Sequence, residues 1–117
     1  MIGEYKKMVE YIAAELASEG YKLVEDNDFD ATFARGQYES LVFEGDRVAY
    51  PAAMIWISWD GQKKQYALRT LKKIFEEKNN LPMTGYYLNQ QIKFFKENCE
   101  KIKDRRYLEI YDRDDFM

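Results

Sequence analysis

The amino-acid sequence predicts an α+β fold. It reads as one globular domain over residues 1–117, an antiparallel sheet of about four strands packed with three helices in the order α-β-β-β-α-α-β. Three observations predict it. Apolar residues recur at steps of three and four in three separate stretches, they alternate with polar residues elsewhere, and Gly, Pro or Asn-Asn punctuation separates the two patterns. At 117 residues the chain can bury one core without disulfides or metal.

Residues 2–19 read as an amphipathic helix. Tyr5, Met8, Val9, Ile12 and Leu16 form its apolar side, Glu4, Lys7, Glu15 and Ser18 its polar side, and Gly20 stands where it should end. Residues 21–25 alternate like a half-buried strand and lead into a short acidic loop. A second strand is expected over 38–44, closed by Gly45-Asp46. The third is the most apolar run of the chain, entered at Pro51 and left at Asp60-Gly61. Alternation divides this run into a core face of Ala53, Ile55, Ile57 and Trp59 and a mixed face of Ala52, Met54, Trp56, Ser58 and Asp60.

Asp60 is the expected N-cap of a helix over 62–78, striped by Ala67, Leu68, Leu71, Ile74 and Phe75. Thr84 is the expected cap of a third helix reaching about residue 103, with Leu88, Ile92, Phe95, Cys99 and Ile102 on its inner side. The tail alternates again, so residues 106–112 read as a final strand. Leu108 and Ile110 then share one face, and Tyr107, Glu109 and Tyr111 the other.

Composition removes several chemistries. The chain has no histidine, which excludes a histidine base, Ser/His/Asp or Cys/His catalysis and histidine-bound zinc. Its six glycines form no phosphate-cradling loop. The single cysteine, Cys99, has no internal disulfide partner and is expected to be a small buried hydrophobe. With no apolar leader-like N-terminal segment, this predicts a reducing, cytoplasmic setting. No apolar run reaches the roughly 18 residues that span a bilayer, so no membrane partner is expected.

Asp26, Asp28 and Asp30 have the spacing of the first half of a calcium loop. Ala31 stands where that loop needs glycine and Gln37 where it needs a bidentate glutamate, so the EF-hand pattern fails. Those carboxylates leave open a hard cation held partly through water, and otherwise no metal or cofactor is implied. The element order resembles the restriction-endonuclease core in topology alone. That family's chemistry needs an acidic residue on one strand and an (Asp/Glu)-x-Lys triplet on the next, whereas residues 54–59 hold neither and Glu76-Glu77-Lys78 falls at a helix end.

Charge is segregated beneath the net −3. Residues 1–60 carry five Lys/Arg against twelve Asp/Glu, residues 61–105 eleven against five, and the last twelve residues two against four. The basic stretch includes Lys63, Lys64, Arg69, Lys72 and Lys73 around the second helix. It continues with Lys93, Lys96, Arg105 and Arg106 on and after the third. These are the candidate contacts if the chain binds nucleic acid through its later helices.

The stronger signal is aromatic, with ten tyrosines and two tryptophans. Such residues anchor interfaces because each removes a large rigid area from water while keeping a polar end. The sequence therefore predicts a non-enzymatic protein-binding module, an inhibitor or regulator of a nucleic-acid-handling enzyme. Met54, Trp56, Tyr107, Glu109 and Tyr111 are its candidate contacts, rimmed by Asp112, Asp114 and Asp115. In size and charge the chain resembles phage-encoded inhibitors of host enzymes, anti-CRISPR proteins among them. Nucleic-acid binding is the alternative, and a homodimer pairing acidic and basic regions also fits the charge pattern.

Overall fold

The computed structural model describes residues 1–114. Among the described residues the fold is α+β, with five strands and four α-helices, in two compact units that divide after Ala67. No helix among the described residues is long and apolar enough to cross a membrane.

The first unit holds helix α1 (Gly3–Leu16) and strands β1 (Lys22–Asp26), β2 (Asp30–Arg35), β3 (Glu39–Gly45), β4 (Ala53–Ser58) and β5 (Tyr66–Ala67). The strands pair in sequence order as an antiparallel meander. Helix α1 ends as predicted. A single 3-10 turn follows it, then Gly20 takes the left-handed conformation at φ 86, which costs glycine no Cβ clash. The apolar stripe of α1 is buried at Tyr5, Val9, Ile12 and Leu16, and the Tyr5 ring meets Phe43 of β3 edge-on at 5.6 Å. Ala31, Phe33, Leu41, Phe43, Ile55 and Ile57 complete this core from alternate positions of three strands.

Strand β2 falls where an acidic loop was expected. Asn27 turns the chain between β1 and β2 by accepting the amides of Phe29 and Asp30, each at 2.9 Å. The strand then buries only Ala31 and Phe33, too short a pattern to stand out between charged neighbours. Strand β1 is exposed along its whole length rather than half-buried, because it lies at the sheet edge and a bulge at Val24 breaks its register.

The alternation of β4 holds through Ile55 and Ile57 but stops at Ser58. Trp59, expected in the core, is half-buried against the ring of Tyr66 at 5.7 Å. Asp60 caps no helix. Its carboxylate accepts the Ser58 hydroxyl and the Lys64 amide, Ser58 Oγ accepts the Gln62 amide, and positive φ at Gly61 and Gln62 is incompatible with a helical start. The next helix therefore begins only after β5.

The second unit contains α2 (Leu68–Lys78), α3 (Leu88–Asn98) and α4 (Arg105–Asp114). Phe75 of α2 meets Phe94 of α3 at 5.4 Å and Tyr107 of α4 at 5.3 Å. Helix α3 starts at Tyr87, whose amide donates to Gln90 Oε1, and Thr84 is used elsewhere. Cys99 is buried, as its composition suggested.

The expected last strand is helix α4. Asp104 starts it by accepting the Arg106 amide at 2.9 Å on its side chain and the Tyr107 amide at 3.0 Å on its carbonyl, and Arg105 pairs with Glu109 one turn later at 3.2 Å. The endonuclease-like element order is thus not formed.

Candidate functional site

The mixed face of β4 is where the structure gathers the predicted contact residues of the first unit. Register places Met54 opposite Glu44, and Glu44 opposite Asp30, so these three side chains form one row across β4, β3 and β2. The adjacent row is Trp56, Val42 and Thr32. Met54 and Trp56 are both half-buried. The Trp56 indole donates to Glu44 Oε1 at 3.1 Å, which holds the ring across the acidic row.

Asp30 and Glu44 are like charges directly opposed on neighbouring strands, an arrangement that costs stability. Asp30 is relieved by Arg47 at 3.1 Å, whose guanidinium also lies 4.4 Å from the centre of the Phe29 ring. Glu44 has the neutral indole instead.

The loop over residues 46–52 borders this row. Its first residue, Asp46, accepts the amides of Val48 and Ala49, each at 2.7 Å, and those bonds hold its carboxyl below the usual carboxylate range. The buried Tyr5 hydroxyl reaches the carbonyls of Asp46 at 2.5 Å and Ala52 at 2.8 Å, pinning both ends of the loop. Gly45 permits this closure, since a Cβ there would fall 2.7 Å from the Phe29 carbonyl oxygen. The result is a loop fixed at its ends that presents Val48 at 94% exposure, while Tyr50 folds back onto α1, its ring edge-on to Tyr5 at 4.9 Å and its hydroxyl accepting the Glu4 amide.

The other predicted contacts do not join this face. Tyr107 and Tyr111 lie one helical turn apart on α4, so Glu109 no longer shares their side as a strand would have placed it. Tyr107 is buried and accepts a hydrogen bond from Asn79 Nδ2 at 3.0 Å, which makes it a core residue of the second unit. Tyr111 is half-buried and Asp112 exposed; Asp114 closes α4, and Asp115 lies outside the described residues.

The basic candidates are dispersed. Lys63 and Lys64 belong to the loop before β5, Arg105 pairs with Glu109, and Arg106 forks onto Asp104 at 2.9 and 3.2 Å. Arg69, Lys73 and Lys93 are exposed and Lys96 is half-buried. Lys72 is no surface contact at all, being 1% exposed. Its ammonium donates to both oxygens of Glu76, at 3.1 and 3.3 Å, and to Thr84 Oγ1, and lies 5.1 Å from the centre of the Tyr86 ring. The Thr84 hydroxyl in turn donates to Glu76 Oε2 at 2.9 Å. Charge counting missed this cluster; the signal was Lys72 and Glu76 sitting inside the apolar stripe of α2, four residues apart.

Above this cluster a cavity of about 450 Å³ opens among α2, α3 and the segment between them. Among the described residues, no three carboxylates or thiols converge to hold a metal ion, the Asp26–Asp30 hairpin included. No protein-family model, curated protein or solved structure matches this chain.

Proposed function

We propose that this chain is a non-enzymatic protein-binding module, and that the Asp30–Glu44–Met54 row with Trp56 receives a basic segment of its partner. The observation that carries the reading is the opposed pair Asp30 and Glu44 beside a half-buried tryptophan. A lysine or arginine from a partner would meet Glu44, the carboxylate of the pair that holds no cation, and lie over the indole, adding cation–π attraction. Met54 and the projecting Val48 supply apolar area beside that charge.

Partners with exposed basic segments include enzymes that handle nucleic acid, whose phosphate-binding grooves an acidic face can occupy by electrostatic steering. Inhibition or regulation of such an enzyme, in the manner of a phage-type host-defence inhibitor such as an anti-CRISPR protein, is the role this face suits. The test is binding of the immobilised chain to an Arg/Lys-rich peptide and, separately, to duplex DNA at rising salt. Peptide binding that weakens with salt and is abolished by Glu44→Lys supports the reading. DNA binding with a steep salt slope, and no peptide binding, overturns it in favour of the basic helices.

A further inference from the structure

The cavity of the second unit has a construction of its own, independent of the sheet face. Its floor is the Lys72–Glu76–Thr84 cluster, in which each charged group is already bonded to the others. Its walls are mainly apolar, with Phe75, Leu81, Pro82 and Phe94 joined by the amide side chains of Gln90 and Asn98. At about 450 Å³ it lies within the range of small-molecule sites.

The rim is where free charge is found. Lys93 and Glu97 both line the cavity, both are exposed, and neither has a hydrogen-bond or ion-pair partner among the described residues. They stand four residues apart on α3, about 6 Å along the helix axis, yet they do not pair with each other. Lysine preceding glutamate is the weaker orientation for such a pair, so each head group is left available. Phe94, between them in sequence, turns its ring onto Phe75 and closes the apolar wall beneath.

We infer that this cavity binds a small zwitterion with an apolar body, the chemistry of a free apolar or aromatic α-amino acid. Its carboxylate meets Lys93, its ammonium meets Glu97, and its side chain enters between Phe75, Leu81, Pro82 and Phe94. A ligand with one charge satisfies half of the rim. The saturated floor offers no donor to a deeply inserted polar group, which selects against polar side chains.

The experiment is an amide-shift NMR titration of the ¹⁵N-labelled full chain with L-phenylalanine, hydrocinnamate and phenethylamine, which share one ring and carry both charges, the acid alone or the amine alone. The expected result is saturable shifts at Phe75, Leu81, Phe94 and Glu97, with L-phenylalanine binding tightest. Lys93→Ala should weaken L-phenylalanine and hydrocinnamate by roughly twofold to fivefold and leave phenethylamine unchanged; Glu97→Ala should do the converse. Both residues are exposed, so both variants should fold. Equal affinity for the three compounds, indifference to both variants, shifts confined to other regions, or no saturable shift would each overturn the inference.

Discussion

Asp30 and Glu44 oppose each other on adjacent strands with unlike escorts, Asp30 held by Arg47 at 3.1 Å and Glu44 by the Trp56 indole at 3.1 Å. One carboxylate is neutralised and the other only hydrogen-bonded, which leaves a net negative charge beside an aromatic ring. In the proposed reading, that residual charge is what draws a basic partner segment to this face.

Glu44→Gln keeps an acceptor for the indole while removing the like charge. Urea denaturation should show it stabilised by about 0.2–1 kcal/mol at unchanged slope, while affinity for a basic peptide falls. A variant that is destabilised would show that the repulsion is already offset within the fold.

The loop over 46–52 is closed by its own bonds from Asp46 and is anchored to α1 through Tyr5. Tyr5→Phe retains the buried ring and its contacts with Phe43 and Tyr50 but takes the hydroxyl from the Asp46 carbonyl, while the Ala52 carbonyl keeps the Asp46 amide at 2.8 Å. A loss of about 1–3 kcal/mol is expected, and hydrogen exchange should rise at the amides of Val48 and Ala49 before the rest of the sheet.

Much of this architecture is legible in the residues. The stripe of α1, the αL end at Gly20 and the buried alternation of Ile55 and Ile57 follow from apolar spacing alone, because each spans enough residues to fix its period. Helix α4 looks like a strand in the sequence because Tyr107, Leu108, Ile110 and Tyr111 satisfy both a strand's alternation and a helix's steps of three and four. Asp104, a capping residue directly before Arg105 and Glu109 at helical spacing, was the signal that separates the two. The pairing of Asp30 with Glu44 could not be read at all, since it depends on the unrecognised β2 and on register across a turn.

In the second unit, the buried pair of Lys72 and Glu76 should respond asymmetrically to mutation. Removing one partner, as in Lys72→Ala or Glu76→Ala, leaves an uncompensated buried charge and should cost about 3–5 kcal/mol. Replacing both together, as Lys72→Met with Glu76→Leu, should cost less than the sum of the single changes in a thermal-denaturation cycle.

Three carboxyls give the fold an acid-side dependence. Amides of Ala49 and Val48 lower Asp46, the Lys64 amide lowers Asp60, and Arg106 lowers Asp104. A carboxyl with a lowered folded-state pKa stabilises the fold above its unfolded value, and that stabilisation is lost as pH falls through the folded value. Denaturation midpoints should thus decline as pH drops below the ordinary aspartate range. Asp46→Asn should flatten that decline, as measured by urea midpoints across the acid range.

Whether a basic partner segment settles on the Asp30–Glu44–Met54 row and Trp56 can be read from amide and indole NMR shifts of the ¹⁵N-labelled chain during titration with an Arg/Lys-rich peptide. The Trp56 indole and the amides of Asp30, Glu44, Met54 and Val48 should move together, added salt should reverse the shifts, and Glu44→Lys should abolish them. A still Trp56 indole, with shifts instead on the acidic side of α1 or on α4, would contradict that placement.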